Sequence, residues 1–219
     1  METPVPQPYL FIVGADKGGV GKTTISRALL DYFRQNGIDF KAFDTEHPNG
    51  GLQRFFPDRA QIVDLSKSND QMKVFDNLAS TQASVIDIRA GLLSPTIKVL
   101  TDIGMFEMAK ANKLRVVVMH ILGPATQSLD EVKSVVGSIA EAKYVPVANH
   151  IDDTDYTAPT GAINVPKLDG EAMKAIDAAA KPFHDFINSQ GSFVLRGYTR
   201  KWLVDVFAQF DSHQLNVLS

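Results

Sequence analysis

Apolar residues along this chain fall into two rhythms. Short, nearly unbroken runs recur as "YLFIVGA", "FKAFDT", "QASVIDIRAG", "LRVVVMHILG" and "KYVPVANHID". Runs of that length and residue type suit strands buried on both faces. Between them the spacing changes to that of a helix with one apolar side. "TTISRALLDYFRQNG" puts Ile25, Leu29, Leu30 and Phe33 on one face and stops at Gly37, a residue suited to a position just beyond a helix C-terminus. "SPTIKVLTDIGMFEMAKANK" offers Ser94 as N-cap and Pro95 as first helical residue, while "ATQSLDEVKSVVGSIAEA" carries Leu129, Val132, Val136 and Ile139 at helical spacing. "GEAMKAIDAAAKPFHDFINSQG" predicts a helix interrupted near Pro182, and "TRKWLVDVFAQF" one that buries Trp202, Leu203, Val206, Phe207 and Phe210.

Strand and helix signals that alternate in this way predict an α/β fold, a doubly wound and mainly parallel sheet with helices on both faces. Residues 1–8, "METPVPQP", read as a flexible tail, and residues 9–219 as one domain. The stretch from Asn49 to about Asp70 is the least patterned internal segment. Loops of that length are often functional, and the alternative is a surface excursion with a short helix.

Composition narrows the setting. The 219 residues are 44% hydrophobic and 21% charged, with a formal net charge of -3, so the chain as a whole has no general attraction for nucleic acid or anionic membrane. It contains no cysteine, which excludes disulfides, thiolate zinc sites and iron-sulfur clusters. No secretory leader or membrane-spanning stretch is legible, so a cytoplasmic location is expected. The five histidines show no ligand spacing on a common element.

The chemistry concentrates in "GADKGGVGKTT", residues 14–24, which lies between the first strand signal and the first helix signal. Glycines there permit tight turns whose N–H groups point at a polyphosphate on the helix N-terminus. Gly18, Gly19, Val20, Gly21, Lys22, Thr23 and Thr24 are the phosphate-binding candidates. Lys22 would reach the outer phosphates, and the Thr23 hydroxyl would ligate Mg2+.

The run "KGGVGKTT" resembles the deviant phosphate loop of the ParA/MinD family of P-loop ATPases, in which an extra lysine precedes the paired glycines. That resemblance implies ATP and Mg2+ as cofactors and an ATP-dependent homodimer in which Lys17 reaches the partner's nucleotide. Lys17 and Lys22 would then both stabilise charge during phosphoryl transfer. "FDTEHPNGG" resembles the family's "DxDPQG" segment, which makes Asp44 a catalytic and magnesium-shell candidate and Glu46 the carboxylate that orients water. Glu46 replaces the usual aspartate and His47 adds a residue before Pro48, so a plain loop-surface carboxylate is the other reading of Glu46. "SVIDIRAG" resembles the Walker B strand, with Asp87 holding Mg2+ through water. "VPVANHIDD" and "INVPKLD" resemble the segments beside the adenine, which makes Asn149 and Pro166 base-site candidates. "NHID" also partly matches the guanine motif N-K-x-D through Asn149 and Asp152, and ATP is preferred over GTP. Two roles are open to Asp16: to supply backbone with its carboxylate turned from the phosphates, or to hold Lys17 in a salt bridge.

Within that family the absence of cysteine removes the metal-cluster branch. The closing "DSHQLNVLS" has no lysine or arginine, so membrane attachment is not expected. DNA partition, segregation or conjugative transfer is left, with a partition or transfer partner protein and with Arg196, Arg200 and Lys201 as a small patch for non-specific DNA contact. Three other readings compete: a nucleotide switch with negligible turnover, a MinD-like positioning protein, and a metabolic ATP-using enzyme. The last is similar to dethiobiotin synthetase through the spacing of Gly14 and Asp16, but that family lacks the Lys17-Gly18-Gly19 run.

Overall fold

The computed structural model describes residues 7–123, 129–139, 141–154 and 156–216. Its centre is a seven-stranded sheet in the order β3-β2-β4-β1-β5-β6-β7. The strands are β1 (Tyr9–Gly14), β2 (Phe40–Asp44), β3 (Ala60–Ile62), β4 (Ala83–Asp87), β5 (Arg115–Leu122), β6 (Lys143–Asn149) and β7 (Ile163–Val165). Every described pairing is parallel. The C-terminal ends of the strands therefore gather at one edge, and adjacent β2 and β4 bring Asp44 and Asp87 into register there.

Side-chain alternation along β1 divides the core into two layers. Phe11 and Val13 face α1 (Lys22–Gln35), α6 (Gly170–Ala179), α7 (Phe183–Ile187) and α8 (Phe193–Ser212). Leu10 and Ile12 face α2 (Ser68–Phe75), α3 (Leu93–Asp102), α4 (Met105–Lys110) and α5 (Leu129–Ser138). The chain thus leaves β1 toward one face of the sheet and β4 toward the other. The crevice outside the carboxyl ends of such strands is where open α/β sheets bind ligands.

Helix α1 is buried on more than its apolar face, because α7 and α8 cover its outer side. Arg27, Asp31 and Tyr32 are enclosed along with Ile25, Leu29 and Phe33. Arg27 resolves its burial with an ion pair to Asp177 at 2.9 Å and by lying over the rings of Phe55 and Phe183, 3.5 and 4.3 Å from their centroids.

Several boundaries differ from the sequence expectation. The helix expected to begin at Ser94 starts at Leu93, with Ser94 inside the first turn, and it breaks into α3 and α4 at Gly104, whose φ of 75° is left-handed. Val135 in α5 and Ile139 just beyond its end are buried, whereas Val136 is exposed, and the side chain of Leu129 lies outside the described residues. The last helix begins six residues before Thr199, at Phe193, because its first turns carry exposed Phe193, Val194 and Tyr198 that mask the amphipathic pattern. The interruption near Pro182 is present, between α6 and α7. Of the expected tail, residues 1–6 lie outside the described residues, and Pro8 is held by its carbonyl, which accepts from Arg115 N at 3.0 Å.

Candidate functional site

The loop from Ala15 to Gly21 leaves β1 and delivers the chain to the N-terminus of α1. The N-cap of that helix is Gly21, in the left-handed conformation at φ 83°, and it contributes no side-chain cap. The first-turn N–H groups, which have no intrahelical acceptor, are therefore turned to the crevice, and the helix dipole adds positive potential. A side chain at residue 21 is excluded twice over, by that φ and by Asn149, whose Nδ2 would lie 2.2 Å from a Cβ.

A cleft of about 320 Å³ opens at this point, walled by the loop glycines, Lys22, Thr23, Asp44, Glu46 and Asp87. Lys22 Nζ donates to the Lys17 carbonyl at 3.0 Å, which folds the loop over its own lysine. Partial burial lowers the Lys22 pKa, and the charges of Asp87, Glu46 and Asp16 oppose that shift. Lys17 itself is exposed.

Behind the lysine lies a compact hydroxyl-carboxylate cluster. Thr23 Oγ1 donates to Asp87 Oδ2 at 2.7 Å, and Ser26 Oγ donates to Asp87 Oδ1 at 2.8 Å. Burial pushes the Asp87 carboxyl up to about 7 despite those two bonds, which favour its charged form. A hard cation would restore the charge, and the oxygens of Thr23 and Asp87 fit one such as Mg2+.

Asp44 is fully buried at the cleft wall. Its Oδ1 accepts from Glu46 N at 2.9 Å, and its Oδ2 accepts from Leu52 N and Gln53 N at 2.6 and 3.0 Å. Three backbone donors thus bind this carboxylate, and Asp44 organises the loop that follows β2. That loop carries Glu46 to the cleft: a methyl group on Gly51 would lie 3.3 Å from Glu46 Oε2 and 3.4 Å from Thr23 Oγ1. The poorly patterned stretch after Asn49 is packed rather than loose, with Leu52, Phe55 and Phe56 buried.

A second cleft, also of about 320 Å³, continues past Thr24 between Asn149, Ile151, Pro166, Lys167 and Trp202. Asn149 Nδ2 donates to the Val20 carbonyl at 2.8 Å, which leaves Oδ1, an acceptor, for the cleft. The Pro166 carbonyl accepts from Trp202 Nε1 at 2.7 Å, so α8 fixes this wall. Asp152, the other half of the guanine-type match, accepts from Thr154 N at 2.9 Å and does not line the cleft. Larger clefts of about 670 and 680 Å³ lie around Arg115 and around Phe55 and Phe56, but neither contains the loop or the strand-end carboxylates.

The fold matches that of solved structures. A ParA family ATPase from Chlorobium tepidum TLS aligns with a TM-score of 0.56 at 14% identity, over 91% of this chain and 98% of that one. The chain therefore shares the fold of that ParA family ATPase. A nucleotide-binding protein from Archaeoglobus fulgidus in complex with ADP aligns at 14% identity over 91% of this chain and 88% of that one, with a TM-score of 0.48. MinD in the MinC:MinD complex of Aquifex aeolicus aligns at 14% identity over 89% and 94%, with a TM-score of 0.49. No protein-family model and no curated protein matches the sequence.

Set on that ParA-type frame, Lys22, Thr23, Glu46 and Asp87 come together at one cleft, and Asn149 and Pro166 at its neighbour. Sequence reasoning missed Ser26 and Thr45. Ser26 stands three residues after Thr23, a spacing that puts both on one helix face and could have revealed it. Thr45 N and Oγ1 both donate to the Asp87 carbonyl, at 3.1 and 3.0 Å, and Oγ1 accepts from Arg89 N at 2.8 Å. No sequence signal marks that pin between the two strand ends. In the candidate basic patch, Lys201 is paired with Asp205, and Arg196 donates to the Ser189 and Ser192 carbonyls. Arg200 is exposed. Among the described residues, no helix is long and apolar enough to cross a membrane.

Proposed function

We propose that this protein is a ParA-like ATPase that binds ATP with Mg2+, dimerises around the bound nucleotide and hydrolyses it slowly, in DNA partition, segregation or conjugative transfer. The observation that carries this reading is the pair of lysines in one loop. Lys22 is turned inward onto the Lys17 carbonyl, whereas the Lys17 side chain is exposed and available to a second protomer.

The N–H groups of residues 18–24 and the α1 dipole hold the phosphates, and Lys22 adds a charge that phosphate re-stabilises. When bound, Mg2+ would neutralise phosphate charge, with Thr23 and Asp87 as the residues to hold it. Glu46 orients the attacking water, and Asp44 acts one step behind it by fixing the loop through Glu46 N, Leu52 N and Gln53 N. Lys17 of a partner copy stabilises the charge that develops in transfer.

The base cleft favours adenine. An amide that gives one N–H to Val20 keeps its oxygen as an acceptor, and that oxygen turned to the cleft suits the exocyclic amine of adenine and opposes the carbonyl of guanine. Pro166 stands at the same cleft and supplies an apolar contact for the ring.

The deciding experiment is size-exclusion light scattering of the Glu46→Ala variant with and without Mg-ATP, followed by DNA titration at two salt concentrations. A dimer that forms only with ATP, and DNA retention that falls with salt, support the reading. A monomer under both conditions removes the dimer mechanism, and ATP turnover that requires a small-molecule acceptor supports a metabolic enzyme instead.

A further inference from the structure

Asp16 sits immediately before the exposed lysine, and its carboxylate bonds to a distant helix. Oδ1 accepts from Leu93 N and Ser94 N at 3.1 and 3.3 Å, and Oδ2 accepts from Ser94 Oγ at 2.6 Å. Leu93 and Ser94 are the first two residues of α3, whose own N-cap, Leu92, has no side-chain acceptor to offer. Their N–H groups are donors that a helix cannot satisfy internally. A carboxylate at that end also meets the positive pole of the helix dipole. Asp16 is thus the cap of α3, supplied from the phosphate loop.

The cap has a consequence for Lys17. On one side of the lysine, Asp16 fixes the backbone to α3. On the other, Lys22 Nζ grips the Lys17 carbonyl at 3.0 Å. The loop also lies against the segment that runs from Asp87 into α3: a methyl group on Gly18 would lie 3.7 Å from Ala90 Cβ, and one on Gly91 would lie 4.0 Å from the Asp16 carbonyl. The backbone of Lys17 is therefore held on both sides while its side chain stays exposed.

We propose that Asp16 is a positioning residue for Lys17: by capping α3 it fixes the point from which the lysine projects toward ATP on a second protomer, and ties that point to the segment leaving Asp87. This rests on the reading that Lys17 serves a partner's nucleotide. A four-carbon side chain crossing between protomers loses conformational freedom when it engages, and a fixed root reduces that loss.

The test is a double-mutant cycle on the full chain with wild type, Lys17→Ala, Asp16→Ala and the double variant. ADP affinity is measured by calorimetry, ATP-dependent association by light scattering, and hydrolysis in a single turnover. Asp16→Ala should weaken association and slow turnover roughly tenfold, the scale of losing a helix cap, while ADP affinity stays within about twofold. In the Lys17→Ala background the same change should have no further effect on either. Asp16→Asn, which keeps an acceptor for the two N–H groups, should recover most of the loss. Equal losses with and without Lys17, or a parallel fall in ADP affinity, would mean that Asp16 only supports the fold, and the proposal fails. An impaired Lys17→Ala beside a normal Asp16→Ala overturns the proposal alone. A Lys17→Ala variant that matches wild type overturns the dimer reading, and the proposal with it.

Discussion

Asn149, the last residue of β6, donates its side-chain amide to the Val20 carbonyl at 2.8 Å and so holds the phosphate loop from the side of the base cleft. On the proposed reading one side chain has two duties, loop support through Nδ2 and base reading through Oδ1. Asn149→Ala removes both. ADP affinity should fall by more than tenfold, because a buried carbonyl loses its donor, at about 1–3 kcal/mol, and the adenine loses an acceptor. GDP uses only the loop support, so its affinity should fall less and the preference for ADP should narrow. Calorimetry with both nucleotides checks this, and equal losses would remove Asn149 from base recognition.

Gly21 is the position least able to change. Its φ of 83° disfavours any side chain, and a Cβ would meet Asn149 Nδ2 at 2.2 Å. Gly21→Ala should lose most nucleotide binding and lower stability by about 1–3 kcal/mol, from left-handed strain and a displaced amide. Denaturant unfolding together with ADP titration measures both effects.

Glu46 stands beside Thr23 but belongs to a loop fixed elsewhere, through Asp44. Glu46→Gln should therefore leave ADP affinity near wild type while it slows single-turnover hydrolysis by about 10²–10⁴-fold, the range for loss of a positioned general base or water-orienting group. Identical, near-zero rates in the two proteins would instead describe a nucleotide switch in which Glu46 does no chemistry.

Much of this is legible in the residues alone, and what is hidden follows a rule. Long apolar runs declare β1, β2, β4, β5 and β6, and the strand-loop-helix continuity around Lys22 declares the cleft. Strands β3 and β7, three residues each, are too short for any period to register. Arg27 and Asp31 read as a polar helix face because nothing local announces that α7 and α8 will cover α1. The same holds in the site. Thr23 and Lys22 line the cleft where the motif puts them, but the partners of Asp16 lie 77 and 78 residues away and those of Asp44 on a returning loop. Motifs encode backbone geometry near themselves, and a carboxylate's choice among distant N–H donors is decided by tertiary packing.

Asp31 makes that covering of α1 measurable. Its Oδ2 accepts from His184 N at 3.1 Å, at the start of α7, while its Oδ1 is buried with no hydrogen-bond partner among the described residues. Burial raises the carboxyl from 3.8 to about 6, against the pull of the His184 and Phe183 N–H groups. Because the folded form binds its proton more tightly than the unfolded chain, the carboxyl contributes stability below about 3.8 that is lost as pH rises through about 6. The total is about 3 kcal/mol, since each tenfold gain in proton affinity is worth about 1.4 kcal/mol. Asp31→Asn has no proton to lose and keeps an acceptor for His184 N. Its stability relative to wild type should therefore improve by roughly that amount as the pH rises across the window, with the steepest change between the two values. Urea unfolding of both proteins at several pH values measures the difference, in which the other carboxylates cancel. Parallel curves would mean that Asp31 holds its proton equally in the folded and the unfolded chain, with water or Arg27 reaching its second oxygen.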